Sequence, residues 1–145
     1  MVRTGSKRLD GQIHQIGEVA EAVGLSLRTI RHYEEVAVVA PSGRTAGGFR
    51  LYTEDDIERL RLVKHMKPLD FTLEEMRELL VVRDRLTGSI DDDERRQLTE
   101  RLAMYADAAE TRCEKLRQQL HSAQSMAAVL RREASRRRRQ SGSRP

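Results

Sequence analysis

Residues 25 to 36, LSLRTIRHYEEV, bring together the side chains best suited to chemistry in this sequence. At helical spacing Arg28 and His32 fall four apart on one side, with Thr29 beside them and Ser26 at the start of the turn. Leu27 and Ile30 fall on the other side, where they are expected to pack on a preceding helix. A cation, a hydroxyl and an imidazole in one row make a hydrogen-bonding surface. An arginine can bridge the acceptors of a guanine or bind phosphate, and hydroxyls reach phosphates or base edges, so the row suits a DNA major groove. The alternative reading is a solvated helix face whose arginines pair with Glu34 and Glu35.

Other chemistries find no foothold. The sequence has no GxxxxGK[ST] phosphate loop and no HExxH, and its four histidines are far apart in the chain. With one cysteine, Cys113, neither an intrachain disulfide nor a four-cysteine zinc site can form. No catalytic residue, metal site or cofactor is therefore expected. The formal charge of +4 is uneven: residues 131 to 145, RREASRRRRQSGSRP, hold seven Arg and one Glu, and the rest is slightly acidic. That composition reads as a disordered, solvated tail over 132–145, with a phosphate-binding arm as the alternative. The first fifteen residues lack an apolar signal core, and the longest apolar run, VAVVAP, is far short of the roughly 20 residues that span a bilayer. A soluble, cytoplasmic and nucleoid-associated protein with no membrane partner is expected.

The elements that would position the row announce themselves by their caps. Leu25-Ser26 precedes Ile30, Tyr52-Thr53 precedes Ile57, and Phe71-Thr72 precedes Met76, each an apolar staple across a hydroxyl cap. Thr53 with Asp56 and Thr72 with Glu75 complete capping boxes. An earlier helix is read from Ile16, Val19, Ala20 and Val23, closed by Gly24. Helix, three-residue turn and helix form a helix-turn-helix unit. SGRTAGGFRLY reads as a small hairpin about a Gly-Gly turn. A third helix is expected from 54 to about 66, and a fourth from 73 to about 85. Ser89 is the expected cap of a last helix whose first turn holds Asp91, Asp92 and Asp93. Along it Leu98, Leu102, Tyr105, Ala109, Cys113, Leu116, Leu120, Ala123, Ala127 and Leu130 recur in threes and fours, a coiled-coil seam with one stutter. Its natural partner is a second copy, and pairing about the helix midpoint would bring the two Cys113 side chains close.

At this point RTIRHYE and GFRLY, at their separation, resemble the DNA-binding domain of the mercury-resistance-type (MerR) regulators, over residues 13 to about 82. The resemblance implies an all-α fold with a small β-hairpin wing: a winged helix-turn-helix over 13–86, with 26 to 36 as recognition helix and 42 to 52 as wing. It also implies a dimerisation helix over 89–131, paired as an antiparallel coiled coil, after a disordered arm over 1–12. Carried over by position, Arg28, Thr29 and Tyr33 would meet DNA, joined by Ser26 and His32. Arg44 and Arg50 would lie near phosphates, Tyr52 would close the wing, and Arg31 would stabilise the domain internally. The sequence departs from the family pattern in three ways. Ala37 stands where glycine is common, so a left-handed turn would be strained and the helix is expected to run on. Pro68 and Asp70 alter the end of the third helix. The cysteines of the metal-sensing branch are missing, and His65 stands near the place of a sensing thiol.

The implied function is a homodimeric transcription regulator that binds a pseudo-palindromic promoter in double-stranded DNA, distorts its spacer and so assists RNA polymerase. Repression by occupancy would use the same contacts. The reading from another class is a coiled-coil adaptor with only non-specific DNA binding. The effector is unknown: the segment after Leu130 is too short and polar to enclose a drug-sized ligand, which would have to lie between the last two helices.

Overall fold

The structure, a computed structural model, describes residues 13–143. The arm expected over 1–12 and the last two residues of the tail lie outside the described residues. The chain divides into two compact units, Met1–Tyr105 and Ala106–Pro145.

In the first unit, α1 (Ile16–Val23) and α2 (Leu27–Glu35) form the helix-turn-helix. Strands β2 (Gly43–Arg44) and β3 (Arg50–Tyr52) form the hairpin, followed by α3 (Glu54–Met66), a 3-10 turn (Lys67–Leu69) and α4 (Leu73–Leu86). The caps set these starts. The Ser26 hydroxyl accepts the Thr29 N–H at 3.1 Å. Thr53 and Asp56 exchange bonds of 2.9 and 3.1 Å, and Thr72 and Glu75 exchange bonds of 3.2 and 3.1 Å. Val19, Ile30, Tyr52, Leu60 and Val63 are fully buried at the centre of the core, with Met76, Leu79 and Leu80 added from α4. Leu27 departs from its expected place. As the first residue of α2 it is 40% exposed, so the apolar side of the helix begins at Ile30.

The end of α2 corrects another expectation. The helix does not run on at Ala37, which takes the left-handed conformation with φ 56°. The Val38 N–H reaches back to the Tyr33 carbonyl at 2.9 Å and the Ala37 N–H to that of Glu34 at 3.0 Å, the paired bonds of a Schellman turn. The Arg77 Nε–H caps the Val36 carbonyl at 2.9 Å, and Val38 and Val39 are buried just beyond. Those bonds and that burial outweigh a strain of about 1–2 kcal/mol for a β-carbon in this region. Asp70 repeats the device after the 3-10 turn: φ is 59°, with N–H bonds from Asp70 to Lys67 and from Phe71 to Met66.

The hairpin turns through Gly48 at φ 85°, with the Thr45 N–H on the Phe49 carbonyl and the Gly48 N–H on that of Thr45, both 2.9 Å. A third strand, β1 (His14–Gln15), went unread in the sequence. It pairs antiparallel with β3, His14 opposite Tyr52, giving the order β1-β3-β2. Asp56, buried, accepts the Ser42 hydroxyl at 2.5 Å as well as its capping bond, and so ties the wing to the start of α3.

Helix α5 spans Asp92–Gly142. Its cap is Asp91, not Ser89: the Asp91 carboxylate accepts the Glu94 N–H at 2.8 Å, a position where a negative charge also meets the helix dipole. Within the first unit the Tyr105 hydroxyl donates to Glu78 at 2.6 Å, and its ring lies 6.2 Å from that of Phe71. Burial first, then the Glu78 carboxylate, pushes this phenol up to about 12. Tyr105 is thus engaged inside its own chain rather than standing free on the seam. In the second unit the helix continues through the segment expected to be a disordered tail, as far as Gly142. Arg, Ala, Glu and Gln are strong helix formers, and extending an existing helix needs no new nucleus. Glu133 and Arg137 add an i,i+4 ion pair at 2.9 Å.

Candidate nucleic-acid interface

The exposed side of α2 carries Ser26, Arg28, Arg31 and His32, with Thr29 half-buried among them. Beside it opens a recess of about 700 Å³ lined by Arg28, Thr29, Arg31, His32, Tyr33, Glu35 and Lys67. Three fixed cations face one carboxylate there, so the recess favours anions. Arg31, expected to brace the domain internally, is exposed and lines this recess instead. Lys67 enters from the 3-10 turn after α3, 32 residues or more along the chain from α2, and no local pattern announces it.

The hydroxyls at the start of α2 are engaged within the helix. Ser26 caps Thr29, and the two side-chain oxygens lie 2.8 Å apart. That bond fixes the first turn, whose Arg28 projects outward. The two tyrosines assigned to DNA contact sit in the core. Tyr33 is 2% exposed and meets the recess only at its edge, and Tyr52 is fully buried, with a hydroxyl that has no hydrogen-bond partner among the described residues. A wheel drawn for α2 places Tyr33 between its two sides, and the packing of the domain resolves it inward. Desolvation raises both phenol pKa values above 10. Their part is to shape the surface from beneath.

Glu34 joins the wing to the recognition helix. Its carboxylate accepts Arg44 Nη2 at 2.5 Å through one oxygen and Arg50 Nε through the other. Arg44 also donates to the Gly48 carbonyl at 3.2 Å across the hairpin. The solvated pairing imagined for Glu34 and the α2 arginines is therefore replaced: Glu34 holds the wing, and Arg28 and Arg31 make no ion pair among the described residues. Arg44 remains 45% exposed and Arg50 27%, so Arg44 presents more of its guanidinium outward. Phe49, at the wing, is 66% exposed and was not singled out in the sequence. Its position beside Gly47 and Gly48 was the available signal.

On metals, no group of three His, Cys, Asp or Glu lies close enough to hold an ion among the described residues. His65 is exposed on α3. No described helix is long and apolar enough to cross a membrane.

Two family models match the chain: MerR HTH family regulatory protein over residues 15–81, and MerR, DNA binding over residues 57–132. The chain belongs to the MerR family. It is 45% identical over 71 residues to the HTH-type transcriptional regulator ZntR of Escherichia coli K12, covering 49% of this chain and 50% of that protein. It is 38% identical over 80 residues to the mercuric resistance operon regulatory protein of Bacillus cereus, covering 55% of each. The chain thus spans about half the length of the curated relatives it matches. Among solved structures, a MerR-family transcriptional regulator from Bacillus cereus aligns over 92% of this chain and 87% of its own, with TM-score 0.54 and 25% identity. HiNmlR, a MerR-family regulator lacking the sensor domain and bound to promoter DNA, aligns over 83% and 91%, with TM-score 0.60 and 21% identity, a likeness of fold. The fold of this MerR chain is the expected one: helical, with a small antiparallel sheet as wing and a long last helix.

Proposed function

We propose that this MerR-family chain is a homodimeric, sequence-specific DNA-binding transcription regulator, acting on promoter DNA at the nucleoid. The observation that carries the reading is the cationic recess along the exposed side of α2, braced by the Glu34 link to the wing. In that reading Arg28 meets base edges, Arg31 and Lys67 neutralise phosphates beside the groove, and Arg44 and Phe49 meet the backbone at the wing. Glu34 sets the distance between helix and wing, which must match the step from major groove to neighbouring backbone.

The homodimer is supported by the stripe on α5, where Leu116, Leu120 and Leu130 are about half exposed in the single chain. Burying a leucine fully is worth roughly 1.5–3 kcal/mol, so a row of them favours a second copy over water. A two-fold dimer reads a two-fold-related operator. Distorting the spacer so that RNA polymerase engages is the action that follows from the family. The coiled-coil adaptor left open by the sequence has weaker support, since the relatives' names are those of transcriptional regulators.

The test is affinity for a selected operator and for random duplex, measured across salt. Arg28→Ala is expected to lose roughly 1–3 kcal/mol on the operator and less on random sequence. Arg44→Ala is expected to weaken both alike and lower the salt slope by roughly one unit per contact. If Arg28→Ala leaves operator and random affinities unchanged, α2 is not the recognition helix.

A further inference from the structure

The last three turns of α5 hold an arrangement that the composition of the tail did not reveal. Arg131, Arg132, Arg136 and Arg139 line one shallow recess of about 540 Å³ together with Val129 and Ser135. With about 100° per residue, these four and Arg138 fall within an arc of roughly 160° on one side of the helix. The single acid of the segment, Glu133, lies on the opposite side and is paired there with Arg137. None of the other five arginines makes an ion pair among the described residues. The sorting is therefore complete: one side of the helix is a bare guanidinium surface, and the neutralised pair faces away.

Two simpler accounts fall short of it. Cations do stabilise the negative end of a helix dipole, but the effect is confined to the last turn, which accounts for Arg139 and not for Arg131 or Arg132. Like charges at i,i+3 and i,i+4, as in Arg132, Arg136 and Arg139, oppose helix formation by a few tenths of a kcal/mol per pair. The arrangement is mildly unfavourable until an anion lies on it. Nor does a coiled-coil partner cover it. The stripe of Ala123, Ala127 and Leu130 points roughly 130° away from the middle of the arc, so Arg132, Arg136 and Arg139 stay in solvent when the seam is filled, with Arg131 and Arg138 at its border.

We infer that this face is a second DNA-contacting surface, which binds the phosphate backbone of duplex without reading sequence. Charge complementarity selects the partner. From Arg131 to Arg139 the helix advances about 12 Å, which, measured along the duplex axis, is the rise of three to four phosphates of one B-DNA strand. Planar, forked donors suit phosphate oxygens bidentately, and Ser135 adds a hydroxyl in their midst. Held on a helix, the five charges lose less freedom on binding than they would in an unstructured tail. The inference rests on the proposed DNA-binding function, which it extends to a region outside the winged domain.

The experiment uses the full chain with Arg131, Arg132, Arg136 and Arg139 all changed to Gln, which keeps good helix formers in place. A companion carries Lys at the same four positions. Circular dichroism at 222 nm checks that the helix is retained, and Arg28→Ala is measured beside them. The Gln variant is expected to lose at least two units from the slope of log affinity against log salt, on operator and random duplex alike. Its ratio of operator to random affinity should stay unchanged, and the Lys variant should keep most of the slope. An unchanged slope in the Gln variant, with Arg28→Ala still relaxing sequence preference, overturns this inference and leaves the recognition helix standing. Loss of affinity for anionic vesicles of phosphatidylserine and phosphatidylcholine, with duplex binding intact, assigns the face to lipid and overturns it as well. A wild-type chain that binds no duplex sinks both readings together.

Discussion

Ala37 and Asp70 are two left-handed residues that carry side chains, and each closes a Schellman turn in a place where glycine would be at ease. They do not bear that conformation equally. Asp tolerates the left-handed region because its short polar side chain bonds locally, whereas the β-carbon of Ala gains nothing in return. Relief of about 1–2 kcal/mol in the folded state would be partly offset by the greater freedom of glycine in the unfolded chain. Ala37→Gly is therefore expected to stabilise the protein by about 0.5–1 kcal/mol, and Asp70→Gly to change it by less. Chemical denaturation checks the pair. A lower midpoint for Ala37→Gly would show that the turn is not strained. The ordering matters for function because Ala37 fixes where α2 stops and the wing begins.

Among the elements, β1 depends most on electrostatics. His14 donates to the Glu18 carboxylate at 3.2 Å through Nδ1 and to the Glu54 carboxylate at 2.7 Å through Nε2, joining β1 to the starts of α1 and α3. The bonds to Glu18 and then Glu54 raise its pKa above 6.5, while the bond to His14 lowers that of Glu18 below 4.5. A raised histidine stabilises the fold fully below the unfolded value and loses that contribution as pH climbs through the folded one. The lowered Glu18 loses its contribution as pH falls through its own folded value. Stability should therefore decline as pH rises above the unfolded histidine value of 6.5 and through the raised folded one, and His14→Gln should flatten that part of the profile. Equal slopes in the two proteins would remove His14 from the account. The same element shows where sequence reading ends. The caps of Ser26, Thr53 and Thr72 were legible because each bond spans three residues, and the apolar spacing of α1 to α4 was legible for the same reason. Two-residue β1, the Glu34 link to Arg44 and Arg50, and Lys67 in the recess depend on partners far along the chain. So do Lys64 on the Val23 carbonyl and Arg77 on that of Val36, each 41 positions away, which close α1 and α2 from α3 and α4. The burial of Tyr33 and Tyr52 was only partly legible, from the turn of Tyr33 towards the packed side of α2: an aromatic hydroxyl suits a groove and a core alike, and only the surrounding packing decides. The tail was misread because charge favours solvent without forbidding a helix.

At the scale of the whole molecule, symmetry remains to be tied to sequence, and α5 offers a direct means. Its helix is centred further along than the segment expected from sequence, because it continues to Gly142. The apolar stripe ends near Leu130, however, and the stripe, not the helix length, sets how two copies align. Leu98 and Leu130 lie at equal distances from Glu114, so antiparallel pairing about the stripe's centre would set Leu98 of one copy near Leu130 of the other. Parallel pairing would set each leucine against its own counterpart. Cysteines placed at these positions distinguish the two, since a disulfide needs Cα atoms about 4.4–6.8 Å apart. In a Cys113→Ser background, the variant with both Leu98→Cys and Leu130→Cys is expected to form a covalent dimer under mild oxidation. Neither single variant should do so. Non-reducing electrophoresis at a protein concentration that keeps the dimer assembled reads the result. Covalent dimers from both single variants would establish a parallel pair, and with it a different separation of the two winged domains on DNA.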